Sequence, residues 1–240
     1  MYRRAAIFAV VAALFFAIGF LARPTLSRFK HRSRISLQKQ TAGVQVVDVT
    51  HYERQSAHYA TYPQTHPIVF LGDSRIEWAE WSELLGRDDI SNRGISGDTT
   101  AGVLDRLPTS VPTAGIVCVI QLGVNDFFLG ASVEQVIGNY RRILDYLLQQ
   151  KQARVVLTSI VLARGANDHL NEPITACNQQ LASLAASTGA TWLDLNATLS
   201  PNGYLAEEFS ADGVHFNGRG YQTISGLLAP LLPPKGGSPQ

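Results

Sequence analysis

The sequence predicts a three-layer α/β/α sandwich with a central parallel sheet of about five strands, preceded by an N-terminal membrane helix. Three observations predict it: short continuous apolar runs, helix-compatible stretches alternating with them, and one uncharged apolar run near the N-terminus. Strands that are apolar throughout belong to a sheet covered on both faces, and helices between them make the strands parallel through right-handed crossovers. A chain of 240 residues suffices for one sizeable domain.

The run from Ala5 to Ala22 carries no charge over about 18 residues, just enough at 1.5 Å per residue to cross a hydrocarbon core. Phe20-Leu21-Ala22-Arg23-Pro24 fits a cleavage site poorly, so residues 1–22 are expected to be a membrane anchor or signal segment, with the uncleaved anchor favoured. Arg3 and Arg4 precede the run, and Arg23, Arg28, Lys30, Arg32 and Arg34 follow it, making residues 23–50 a basic juxtamembrane region and linker. On those charges alone the positive-inside rule would keep the domain cytoplasmic. Lys and Arg together number 20 against 19 Asp and Glu, a net charge of +1, and no nucleic-acid or other polyanionic partner is implied.

The folded domain is expected over 51–232. His51 to Tyr62 reads as a short helix broken by Pro63 and Pro67. Strands are expected at Ile68–Leu71, near Ile90, at Ile116–Ile120, Val155–Leu157 and Thr191–Leu193. Helices are expected at Trp78–Leu85, Thr99–Leu107, Ser132–Gln150, Asn171–Ser187 and Arg219–Leu231. In the longest, Val133, Val136, Ile137, Tyr140, Ile143, Leu144 and Leu147 recur at helical spacing and define a core-facing stripe. Residues 233–240 are expected to be a disordered tail. Cys118 and Cys177 make no disulfide framework and lack the closely spaced partners of a zinc site, so both read as buried free thiols and no metal is implied.

Loops leaving the carboxyl ends of parallel strands converge on one crevice, so the polar residues there are the candidates for chemistry. Gly72-Asp73-Ser74 follows the first strand; alone, such a serine commonly caps a helix. Asp212-Gly213-Val214-His215 precedes the last helix and places a carboxylate and an imidazole three residues apart. A serine hydroxyl attacks only when a base takes its proton, and a carboxylate fixes that base's tautomer, so Asp212 and His215 could activate Ser74; alone they could equally be a surface pair. His31, His51, His58, His66 and His169 read as solvated or structural. Asn92-Arg93-Gly94-Ile95-Ser96-Gly97-Asp98-Thr99 and Gly123-Val124-Asn125-Asp126 follow the second and third strands. Gly97 and Asn125 could donate hydrogen bonds to an oxyanion, although Gly and Asn also serve turns, and Asp98 or Thr99 could cap the next helix.

Together, in this order, the four segments resemble the blocks of the SGNH (GDSL-type) hydrolases, with Ser-Gly-Asp-Thr at 96–99 closest to the platelet-activating-factor acetylhydrolase-like branch. The resemblance covers roughly Tyr52 to Leu232. It implies a flavodoxin-like sheet and a serine esterase acting on a short-chain, chiefly acetyl, oxygen ester without cofactor. Ser74 would be nucleophile, His215 base and Asp212 its orienter; Gly97, Asn125 and the Ser74 backbone N–H would be the oxyanion donors, and Asp73 structural. The expected partner is a small-molecule, glycan or lipid ester, and likeness to secreted esterases puts the catalytic domain on the extracytoplasmic side. An acyltransferase acting on an envelope glycan and an inactive binding module are the competing readings. Arg75 departs from the family, standing where leucine is expected, and suggests a substrate contact or a local salt bridge. The G-x-S-x-G elbow of α/β-hydrolases is missing.

Overall fold

The strands Ile68–Gly72 (β1), Ile90–Gly94 (β2), Val117–Gln121 (β3), Arg154–Thr158 (β4) and Thr191–Leu193 (β5) form one sheet in the order β2-β1-β3-β4-β5. Every pairing is parallel; Ile68 lies opposite Ile90 on one side and Val117 on the other. The computed structural model describes residues 48–63 and 65–235. The apolar run Ala5–Ala22 and the basic region as far as residue 47 lie outside the described residues. Among the described residues no helix is long and apolar enough to cross a membrane.

Alternate strand residues point to opposite faces, so each fully buried strand serves two cores. Val69, Leu71, Cys118, Ile120, Val155 and Leu157 pack with the helices Thr100–Ser110 (α4), Val133–Asp145 (α6) and Asn171–Thr188 (α7). Ile68, Phe70, Val117, Val119 and Val156 pack on the other face with Ser74–Glu77 (α2), Trp81–Leu85 (α3), Asn196–Leu199 (α8) and Gly218–Leu228 (α9). The remaining α-helices among the described residues are Val49–Thr61 (α1) and Val124–Phe128 (α5). This is the α/β/α sandwich expected, with α6 burying Val136, Ile137, Tyr140, Ile143 and Leu144.

Several boundaries differ from the sequence reading, each for a local reason. The stretch expected to be one helix from Trp78 to Leu85 is divided: α2 starts four residues earlier, at Ser74, and α3 only at Trp81. Asp73 caps α2 directly after β1, and the Asn92 side-chain amide donates to the carbonyls of Ile76, Glu77 and Ala79, taking up acceptors that a continuing helix would have used. α4 runs past Pro108 to Ser110, its last turn closed by Thr109 Oγ1 donating to the Arg106 carbonyl and the Val111 N–H to that of Leu107. Ser132 and Gln135 make a capping box at the start of α6, whose continuation Tyr146–Gln150 widens into a π turn. Pro233 and Lys235 are docked, through Arg87 Nη1 to the Pro233 carbonyl (2.7 Å) and Lys235 Nζ to the Gly86 carbonyl (3.2 Å); residues 236–240 of the expected tail are outside the described residues.

The strand order reverses between β1 and β3, and at such a switch point the loops after neighbouring strands part to leave a crevice. Gly72-Asp73-Ser74 and Gly123-Val124-Asn125 leave the sheet on its two sides.

Candidate active site

Ser74 opens α2 immediately beyond β1, and its side chain is buried to 5 % exposure. Asp73 has extended backbone and accepts the Arg75 N–H at 2.9 Å, so it acts as a helix cap, the structural part expected of it. Its second carboxylate oxygen is buried without a hydrogen-bond partner. Burial pushes the Asp73 carboxyl up to about 6, against the opposing pull of the Arg75 charge.

The base arrives from a turn that builds itself. Asp212 Oδ1 accepts the N–H groups of Val214 and His215, both at 2.8 Å, in an Asx-type turn, and Ser210 Oγ accepts the Gly213 N–H at 2.9 Å. Gly213 has φ of 80°, and a Cβ there would come within 2.5 Å of the Arg164 carbonyl oxygen, so glycine is required on both counts. The remaining Asp212 oxygen receives His215 Nδ1 at 2.7 Å, and His215 Nε2 lies 3.0 Å from Ser74 Oγ. An ionised carboxylate only accepts, so Nδ1 holds the proton and Nε2 is left to accept from the Ser74 hydroxyl. Partial burial would raise the Asp212 carboxyl, but the His215 ring and the His215 and Val214 N–H groups outweigh it and hold the group down at about 2. The carboxylate is half-exposed while His215 is buried at 8 %.

The two oxyanion candidates occupy adjoining loops. Gly97 has φ of 77°, a left-handed conformation that presents its backbone where a side chain would be strained. Asn125 Nδ2 donates to the Asp98 carbonyl at 2.9 Å, tying the loop after β3 to the loop after β2. Of the two residues read as alternative caps, Thr99 caps α4 by accepting the Gly102 N–H, whereas Asp98 forms a buried ion pair with Arg106 (2.7 Å). Arg106 also donates to the Gly72 carbonyl at 3.1 Å, joining that loop to the end of β1. Asp126, pushed up to about 6 by burial, accepts the backbone N–H and the hydroxyl of Thr100 and pins α5 to α4.

Arg75 corrects the sequence reading. It is 1 % exposed, so it is no surface substrate contact, and no direct ion pair to Asp73 forms. Instead Nε donates to the Val214 carbonyl at 2.9 Å and Nη1 to the Val161 carbonyl at 3.0 Å, with the guanidinium 5.2 Å over the Phe216 ring. Trp78 was also missed. Its indole stacks on the His215 ring, with centroids 4.2 Å apart and planes 28° from parallel, and its N–H goes to Ser96 Oγ at 2.9 Å. Ser96 in turn donates to Glu77, which also pairs with His51 on α1 at 2.7 Å. The signal was present in the spacing, since a residue four after Ser74 in a helix shares its face.

Among the described residues, no cluster of His, Cys, Asp and Glu could hold a metal. Cys118 and Cys177 are free and buried as expected; burial raises both thiols, that of Cys177 to about 12, which keeps them unreactive at neutral pH.

Ser74, His215 and Asp212 thus stand in hydrogen-bonded series at the carboxyl edge of a parallel sheet, an arrangement shared by several classes of serine hydrolase. The chain belongs to the GDSL-like Lipase/Acylhydrolase family, whose model matches residues 70–223. Platelet-activating factor acetylhydrolase IB subunit alpha1 of Homo sapiens is 31% identical over 178 residues, covering 69% of this chain and 74% of that protein. N-acylneuraminate cytidylyltransferase of Streptococcus agalactiae is 27% identical over 148 residues, 62% of this chain; the match spans only 34% of that longer protein. Among solved structures, a Streptococcus pneumonia protein provisionally described as a platelet activating factor superposes with TM-score 0.71 at 24% identity, covering 76% of this chain and 93% of its own. A GDSL-like lipase from Bacteroides thetaiotaomicron gives TM-score 0.63 at 22% identity, covering 75% and 96%. These two likenesses are of fold.

Proposed function

We propose that the chain is a serine esterase that removes a short acyl group, acetyl first among them, from an oxygen ester by way of an acyl-enzyme on Ser74. The observation that supports this reading is the series Ser74 Oγ, His215 Nε2, His215 Nδ1, Asp212 Oδ2 at 3.0 and 2.7 Å. His215 takes the Ser74 proton as Oγ attacks the ester carbon, then returns it to the departing alcohol. Asp212, ionised down to about pH 2, keeps the imidazole in the required tautomer and balances its charge. The Ser74 and Gly97 backbone N–H groups and the second amide proton of Asn125 stabilise the oxyanion. Water then attacks the acyl carbon as His215 takes its proton; collapse breaks the bond to Ser74 Oγ, His215 returns the proton to Oγ, and the acid leaves.

The preference for acetyl rests on likeness to the acetylhydrolase relatives. The test is fluorophosphonate labelling of the protein beside Ser74→Ala and His215→Ala, followed by rates on p-nitrophenyl acetate, butyrate and octanoate. Labelling that requires both residues, with rates falling as the acyl chain lengthens, is the expected result. Labelling that survives in Ser74→Ala would overturn the reading. The run Ala5–Ala22 supports a further part of the proposal, a single N-terminal anchor; the resemblance to secreted esterases, against the flanking charges, favours a catalytic domain outside the cytoplasm. Protease added to intact spheroplasts should digest the domain; protection until lysis would place it on the other side.

A further inference from the structure

We propose that Arg75, beside the nucleophile in sequence, is a positioning residue for the catalytic base, an inference that rests on the Ser74–His215 assignment above. Burying a guanidinium costs several kcal/mol unless its donors are satisfied, whereas a leucine at this place would be buried at a gain. The charge is kept here, and its bonds converge on one object. Nε holds the carbonyl of Val214, the residue before His215, and the flat of the guanidinium lies on the ring of Phe216, the residue after it. Nη1 holds the Val161 carbonyl in the segment following β4. A single side chain therefore grips both neighbours of His215 from the first turn of the helix that presents Ser74. It sets the distance between nucleophile and base across a chain separation of 141 residues.

Arginine suits this task where lysine does not. Its planar fork donates in two fixed, divergent directions and stacks on an aromatic face, while an ammonium on a flexible stem does none of these in register. Burial lowers the Arg75 guanidinium from its ordinary value, and Asp73 and Asp212, within electrostatic reach, oppose that shift. Asp73 Oδ2 and Arg75 Nη2 nonetheless have no hydrogen-bond partner, so carbonyls and an aromatic ring, with no carboxylate clamp, fix the side chain.

The experiment measures kcat and KM on p-nitrophenyl acetate for the full chain with Arg75→Leu and Arg75→Lys. It also records the His215 Nδ1–H proton resonance, identified by its loss in His215→Gln. If the base is held by Arg75, Arg75→Leu lowers kcat by about 10²-fold, the order expected for a misplacement of about 1 Å, with KM within about twofold of wild type. Arg75→Lys, which keeps the positive charge and a donor but not the fork, should fall between, and in both variants the resonance broadens through exchange with water. Wild-type kcat with a sharp resonance in either variant would overturn the proposal, as would a raised KM at unchanged kcat, which would make Arg75 a substrate contact. A wild-type protein that is neither labelled nor active would defeat the esterase reading alone, and the resonance would still decide whether Arg75 places His215.

Discussion

The turn that presents Ser74 and the turn that presents His215 each contain an aspartate, and the two live in opposite environments. Asp73 is fully buried, caps one N–H and is pushed up to about 6; Asp212 is half-exposed, accepts four hydrogen bonds from its own turn and is held at about 2. Burial drives the Asp73 carboxyl up, while the hydrogen bonds of its own turn outweigh partial burial and hold Asp212 down. The more exposed one is therefore suited to balancing a charge that appears on His215 during turnover, and the deeper one to holding shape.

Substitutions can break this contrast, and the largest effects belong to the series itself. Ser74→Ala and His215→Ala should each lower kcat on an ester substrate by on the order of 10⁶-fold. Asp212→Asn keeps the shape of the turn but not the tautomer, and should cost about 10⁴-fold in kcat, measured by stopped assays on p-nitrophenyl acetate. Asn125→Ala should cost about 10²- to 10³-fold through the oxyanion, with KM little changed. Asp73→Asn, which can still cap α2, should leave kcat within about tenfold, consistent with a capping residue. If it fell as far as Asp212→Asn, the division of labour between the two aspartates would be wrong.

The same pair gives opposite slopes in stability against pH. Asp212 is depressed in the folded protein, so its contribution is present above the unfolded carboxyl range near 4 and is lost as pH falls towards 2. Asp73 is raised, so the folded state binds the extra proton and stability declines as pH climbs from about 4 to about 6. Denaturant titrations across that interval should show Asp73→Asn gaining on wild type as pH rises, and a variant that ran parallel to wild type would refute the raised carboxyl.

What was legible in the sequence was what neighbours in the sequence determine. Asp212 and His215 are three residues apart and Ser74 follows a strand directly, so the series could be read from two short motifs. β1, β3 and β4 were legible because each is mostly apolar, whereas β2 carries Ser91, Asn92 and Arg93 and offered only Ile90 as a marker. Arg75 was not legible, since its acceptors lie 86 and 139 residues away and nothing local announces them. The break between α2 and α3 was hidden for a like reason: no glycine or proline marks it, and Asn92, on another strand, supplies the bonds that end α2. The buried pair Asp98–Arg106 stands eight residues apart, and in the sequence Asp98 offered itself only as a candidate cap for the next helix.

The span between Ser74 and His215 has a consequence during synthesis. The nucleophile's strand lies inside the sheet, between β2 and β3, while its base is made near the end of the described chain. Every strand pairing is parallel and so non-local, the kind of contact that forms late and together. A nascent chain thus holds an inert serine until almost the whole domain has emerged. The Ser74–His215 contact can form only after the segment that carries His215, 141 residues further along the chain, has been made.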